Sequence, residues 1–144
     1  MTAPPATDNR LLNILLVEDD EVDVMNVRRA FQKNHIANPL FVATNGVEAL
    51  ELLRDGTVPK DRRMVLLDLN MPQMNGIEFL REVRRDPELH SIPVVVLTTS
   101  NDERDRFEAY DLNVAGYLLK PVTISNFCDL MATLNKYWAL VELP

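Results

Sequence analysis

From Leu12 onward, short apolar runs alternate with stretches whose apolar positions recur every three or four residues. The runs occupy 13–17, 40–44, 64–67, 93–98 and 116–119, and several are continuous rather than alternating, as in strands covered on both faces. Between them, Val24, Val27 and Phe31 share one helical face, as do Val47, Leu50 and Leu53, and then Ile77, Leu80 and Val83. The fourth helix, roughly 102–112, has the weakest stripe. It offers Phe107 and Tyr110 as its main anchors, and it is the element expected to shift. A last helix carries Ile124, Phe127, Leu130, Met131 and Leu134, with Thr123 or Ser125 as its N-cap and Cys128 as a packing residue. Five strand–helix units in this order predict an α/β fold, a doubly wound parallel sheet with helices on both faces.

Composition narrows the partners. A chain of 144 residues with 47% hydrophobic content suits one domain with one core. Residues 1–10, with Pro4 and Pro5 and no periodicity, read as a flexible arm. A net charge of −7 disfavours nucleic acid and anionic membrane surfaces and favours a protein partner. One cysteine, no secretory signal and no run of about 20 apolar residues predict a soluble cytoplasmic protein that does not enter a membrane.

In an open parallel sheet, ligands bind beyond the carboxyl ends of the strands. The first run there ends in Glu18, Asp19, Asp20 and Glu21, and the third ends in Asp68. Their oxygens suit a hard cation such as Mg2+, which takes only one or two protein carboxylates and keeps several waters. Asp20 and Glu21 are explained without function, as acids favoured in a helix's first turn. Glu18, Asp19 and Asp68 are not, because acids beside buried apolar strands are costly unless compensated. Lys120 follows the fifth run and Thr98 closes the fourth, which brings a cation and a hydroxyl to the same edge. Three carboxylates, one Mg2+ and one lysine are together neutral. His35 and His90 lie in polar connections away from this edge and receive no role.

The stretches 67–76 (LDLNMPQMNG), 92–98 (IPVVVLT) and 116–121 (GYLLKP), with the acids at 18 and 19, resemble the response-regulator receiver family over roughly 12–137. The resemblance implies a receiver domain over 11–138 with the flavodoxin-like strand order 2-1-3-4-5. It makes Asp68 the phosphoacceptor, Glu18 and Asp19 the acidic Mg2+ pair, and the Asn70 carbonyl a further metal ligand. Thr98 and Lys120 would contact the phosphoryl oxygens, and Thr98 and Tyr117 would form the conformational switch. The implied donor is a phosphohistidine on a sensor histidine kinase, and Lys120-Pro121 matches a position where the peptide bond is cis. Glu18 stands where many receivers have Asp, and Thr99 where Ala is common.

The stretch 109–117 (AYDLNVAGY) and an apolar tail after the last helix resemble phytochrome-associated single-domain response regulators. A bacterial phytochrome is then the implied kinase. Trp138, Leu140, Val141 and Leu143 become candidates for a homodimer interface, with 139–144 as the tail. Two alternatives stand beside the receiver reading. A Mg2+-dependent aspartyl phosphatase would carry an acid two residues after the nucleophile, where this chain has Asn70, so the general acid–base group for fast turnover is missing. A phosphorylation-independent scaffold would ordinarily lack part of the acid, Thr and Lys set, which is complete here. No DNA-binding domain follows the last helix, so a transcription factor is not expected.

Overall fold

A computed structural model describes residues 11–71, 73–120 and 124–140, for Ile124 and residues 137–140 as backbone only. Five strands, β1 (Asn13–Val17), β2 (Leu40–Ala43), β3 (Arg63–Leu67), β4 (Val94–Thr98) and β5 (Gly116–Leu119), form one parallel sheet in the order β2-β1-β3-β4-β5. Helices α1 (Glu21–Lys33), α2 (Gly46–Arg54), α3 (Gly76–Arg85), α4 (Glu103–Asp111) and α5 (Ile124–Leu140) alternate with them. The doubly wound fold and its strand order are those expected.

Period-two alternation splits the apolar runs between two cores. Ile14, Leu16, Met64, Leu66, Val95 and Leu97 face one way, onto Val27, Ala30 and Phe31 of α1 and Phe127 and Met131 of α5. Leu15, Val17, Val65, Leu67, Val94 and Val96 face the other way, onto α2, α3 and Ala109 of α4. Every residue of β3 and β4 is buried, whereas the edge strands β2 and β5 are mostly half-buried. This is why the central runs read as continuous.

Three helical expectations change. Phe107 is 73% exposed and does not anchor α4, whereas Tyr110, though 50% exposed, sets its ring 6.4 Å from that of Tyr117. Ala109, fully buried, is the residue through which α4 joins the core. Polar bonds add to this hold, among them the Arg81–Glu108 ion pair at 2.9 Å. Val47 lies on the exposed shoulder of α2, where Ala49 joins Leu50 and Leu53 in the buried stripe. Helix α5 continues to Leu140, so Trp138 and Leu140 belong to its last turns rather than to a separate tail, and Ser125 lies inside the helix. Thr123, Pro121, Val141 and Leu143 lie outside the described residues.

Arg84 closes the far end of the sheet. Its guanidinium donates to the carbonyls of Leu112 (2.7 Å), Ile92 (2.8 Å), His90 (2.9 Å) and Asn113 (3.1 Å), joining the exit of α3 to the turn between α4 and β5. Burial pulls this guanidinium below its ordinary pKa range.

Candidate functional site

Register delivers the site. Val17 pairs with Leu67, so Glu18 and Asp68 emerge side by side from adjacent strands, and the Asp68 amide donates to the Val17 carbonyl at 3.0 Å. Leu119 pairs with Thr98, which sets Lys120 next to the end of β4, and the Lys120 amide donates to the Thr98 carbonyl at 2.8 Å. From β1 the chain crosses to β2 on one side, while β3 lies on the other. The acids therefore sit at the switch point where parallel sheets open a crevice. Beneath Asp68, a Cβ on Gly76 would come within 2.6 Å of the Asp68 carbonyl oxygen and the Leu69 Cα, so α3 begins hard against the site only because residue 76 is glycine.

Asp68 is 7% exposed and Thr98 wholly buried. Asp68 Oδ1 accepts from the Thr98 hydroxyl at 2.7 Å and the Asn70 amide at 3.2 Å. The other oxygen, Oδ2, lies 3.7 Å from the Lys120 ammonium, beyond hydrogen-bond range. That ammonium donates instead to Glu18 and, at 2.8 Å, to Asp23. Burial dominates the titration of Glu18, outweighing the Lys120 hydrogen bond, and with the charge of Asp68 it pushes the carboxyl up to about 7. Burial would also depress Lys120, but the bonds to Asp23 and Glu18 and the charge of Asp68 together hold it above its ordinary value.

Glu18, Asp19 and Asp68 each bring a carboxylate oxygen within 4.8 Å of the others, two of the residues buried and Asp19 exposed. Three hard oxygen donors, in surplus over one lysine and open to water on one side, fit a divalent cation of the Mg2+ class. A cleft of ≈460 Å³ between α1 and α5 opens beside them, lined in part by Glu18, Asp23, Thr99, Lys120 and Phe127.

The structure brings Glu18, Asp19, Asp68, Asn70, Thr98 and Lys120 together at one sheet edge. Asp20 and Glu21 behave as helix-terminal acids, with Asp20 the N-cap of α1, accepting from the amides of Val22 and Asp23. Asn70 meets Thr99 through a side-chain bond of 3.4 Å. Tyr117 is half-buried, its hydroxyl bonded to the Ser100 carbonyl at 2.8 Å and its ring 5.4 Å beneath the Arg106 guanidinium.

Two residues escaped the sequence reading. Asp23 stands one turn after the acids and was legible only as i+3 from the N-cap. Ser100, a loop serine with no periodic signal, joins three elements. Its amide donates to Thr98 Oγ1 at 3.2 Å, its hydroxyl to Asp105 of α4 at 2.6 Å, and its carbonyl receives Tyr117. A continuous hydrogen-bonded path thus runs from Asp68 through Thr98 and Ser100 to Tyr117 and α4.

An acidic cluster, a buried aspartate, a hydroxyl and a lysine at the switch point of a 2-1-3-4-5 sheet define a receiver. Residues 14–132 match the response regulator receiver domain, and the chain belongs to that family. It is a signalling protein, a response regulator of phosphorelay pathways. The probable methanogenesis regulatory protein FilR2 of Methanothrix harundinacea is 38% identical over 127 residues, covering 87% of this chain and 82% of FilR2. The response regulator Rcp1 of Synechocystis sp. is 36% identical over 135 residues, covering 91% and 92%. The crystal structure of the Mn2+-bound form of Rcp1 superposes with a TM-score of 0.73 at 35% identity, over 92% of this chain and 99% of that one. The phosphorylated cyanobacterial phytochrome response regulator RcpA superposes with a TM-score of 0.76 at 33% identity, over 93% and 99%. No helix among the described residues is long and apolar enough to cross a membrane.

Proposed function

We propose that Asp68 accepts a phosphoryl group from a phosphohistidine of a sensor histidine kinase. The observation that carries this reading is the asymmetry of the Asp68 carboxylate. Oδ1 is held by Thr98 and Asn70, and Oδ2, bonded to nothing among the described residues, is turned toward the ammonium of Lys120. Oδ2 attacks phosphorus, the phosphorus–nitrogen bond of the phosphohistidine breaks, and its electron pair returns to the imidazole, leaving an acyl phosphate on Asp68. Glu18, Asp19, Asp68 and the Asn70 carbonyl would hold a Mg2+, which would supply positive charge toward the phosphoryl oxygens. Lys120 contributes a second cation at the same oxygens, and burial excludes water from the face of Asp68 turned to the sheet.

The Thr98 hydroxyl leaves Oδ1 for a phosphoryl oxygen, and through Ser100 this displacement reaches Tyr117 and α4. α4 responds readily because it buries only one residue, Ala109, and is otherwise held by polar bonds and the half-exposed Tyr110 ring against Tyr117. The signal is therefore a shift between two arrangements of α4 and β5. Tyr117→Ala is expected to abolish the dependence of partner binding on phosphorylation. Beyond forming and hydrolysing its own acyl phosphate the chain turns over no substrate, in keeping with Asn70 in place of a second acid.

The resemblance to the cyanobacterial phytochrome response regulator RcpA supports a bacterial phytochrome as the kinase. The apolar residues Trp138, Leu140, Val141 and Leu143 support a homodimer formed through the end of α5 and the residues after it. Sedimentation as a monomer at high micromolar concentration, with and without phosphorylation, would rule the dimer out.

The deciding experiment is intact-protein mass after incubation with acetyl phosphate, with and without Mg2+, for wild type and Asp68→Asn. Wild type with Mg2+ gains one phosphoryl group and the other three conditions gain none. No gain by folded wild type would sink the proposal and favour a scaffold.

A further inference from the structure

The Lys120 ammonium has three protons to place, and the carboxylates around it compete for them. Two go to Glu18 and Asp23, and Asp68 is left at 3.7 Å. Glu18 and Asp68 belong to the group of acids that converges on a cation site, whereas Asp23 does not. A cation drawn in by the first two leaves Asp23 as the carboxylate that keeps its hold on Lys120.

The fold fixes Asp23 in this place. Asp20 caps α1 and accepts from the Asp23 amide at 3.3 Å, so the first turn is pinned and the Asp23 side chain is carried to the end of β5. An acid in a first helical turn needs no function. What sets Asp23 apart from Glu21 is its 2.8 Å bond across the crevice to a lysine whose side chain is only 13% exposed.

We propose that Asp23 is a positioning residue that restrains Lys120, so that its carboxylate weakens the site's hold on a phosphoryl anion while strengthening its hold on the cation. The inference rests on the phosphoacceptor reading of Asp68. Converting that carboxylate to an acyl phosphate adds negative charge beside Asp68, and the new anion must share an ammonium that Asp23 already engages. Removing the charge of Asp23 frees Lys120 for the phosphoryl oxygens and lowers the repulsion they meet. The same removal leaves fewer negative charges to attract a divalent cation. The two affinities must therefore move in opposite directions, which a merely structural role cannot produce.

The test measures two affinities by calorimetry on the full chain, for wild type, Asp23→Asn and Asp23→Glu. One is for Mg2+ alone, and the other is for beryllofluoride, a phosphoryl mimic, at saturating Mg2+. For Asp23→Asn, beryllofluoride should bind about four-fold more tightly, the size expected of one unit charge across a few ångströms of largely water-like dielectric, and Mg2+, with twice the charge, about fifteen-fold more weakly. Both changes should shrink as salt is raised, and Asp23→Glu should match wild type. Weakening of both ligands, no change in either, or any other pattern overturns the inference. Failure of wild type to bind beryllofluoride would sink the phosphoacceptor reading itself, and this inference with it. Normal wild-type binding with an unresponsive Asp23→Asn sinks only the role of Asp23.

Discussion

Replacing Glu18 with Gln tests the electrostatics of the acidic edge directly. Glu18 is 2% exposed, and burial, against the opposing hydrogen bond from Lys120, raises its carboxyl from an ordinary 4.5 to about 7. A folded-state value above the unfolded one means that, between the two, the folded chain holds a proton the unfolded chain has released. The stability tied to this group is therefore complete below about pH 4.5 and is lost as pH rises through about 7. A displacement of this size corresponds to about 3 kcal/mol. Gln keeps the size of the side chain and cannot titrate. In metal-free buffer, wild type should thus lose up to about 3 kcal/mol relative to Glu18→Gln between roughly pH 5 and pH 8. Urea unfolding in EDTA at half-unit pH intervals gives the difference curve, and added Mg2+ should flatten it by stabilising the charged carboxylate. A difference curve that is level across the window, or that slopes the other way, would refute the reasoning.

Gly76→Ala drives a methyl group to 2.6 Å from backbone atoms of Asp68 and Leu69, which cannot move without moving the site. It should cost at least about 2 kcal/mol in chemical denaturation and slow labelling by acetyl phosphate. Arg84→Lys replaces a planar fork serving four carbonyls with a point charge that cannot reach them all. A loss of about 2 kcal/mol is expected, with hydrogen exchange accelerated at the turn between α4 and β5. Phe107→Ala, at a side chain 73% exposed, should change stability by no more than about 0.5 kcal/mol. A larger loss would show that the ring packs in solution.

The sequence by itself determined the doubly wound sheet, because buried parallel strands need continuous apolar runs, and β3 and β4 are buried at every residue. It also determined which strand-end residues share the site. Parallel strands all end on one edge, so acids, hydroxyl and lysine at strand ends must converge there whatever the details of packing. Tertiary structure alone decided how they divide their bonds. Lys120 lies 102 residues from Glu18 and 97 from Asp23, and its preference for these over Asp68 is a matter of ångströms that no spacing encodes. Nor does a pattern mark Ser100, whose three bonds depend on how a loop crosses between β4 and α4. Helix α4 misled for a related reason. Periodicity weighs side chains by hydrophobicity, whereas the one position of α4 that the core takes in is the small Ala109, with Phe107 and Tyr110 left exposed.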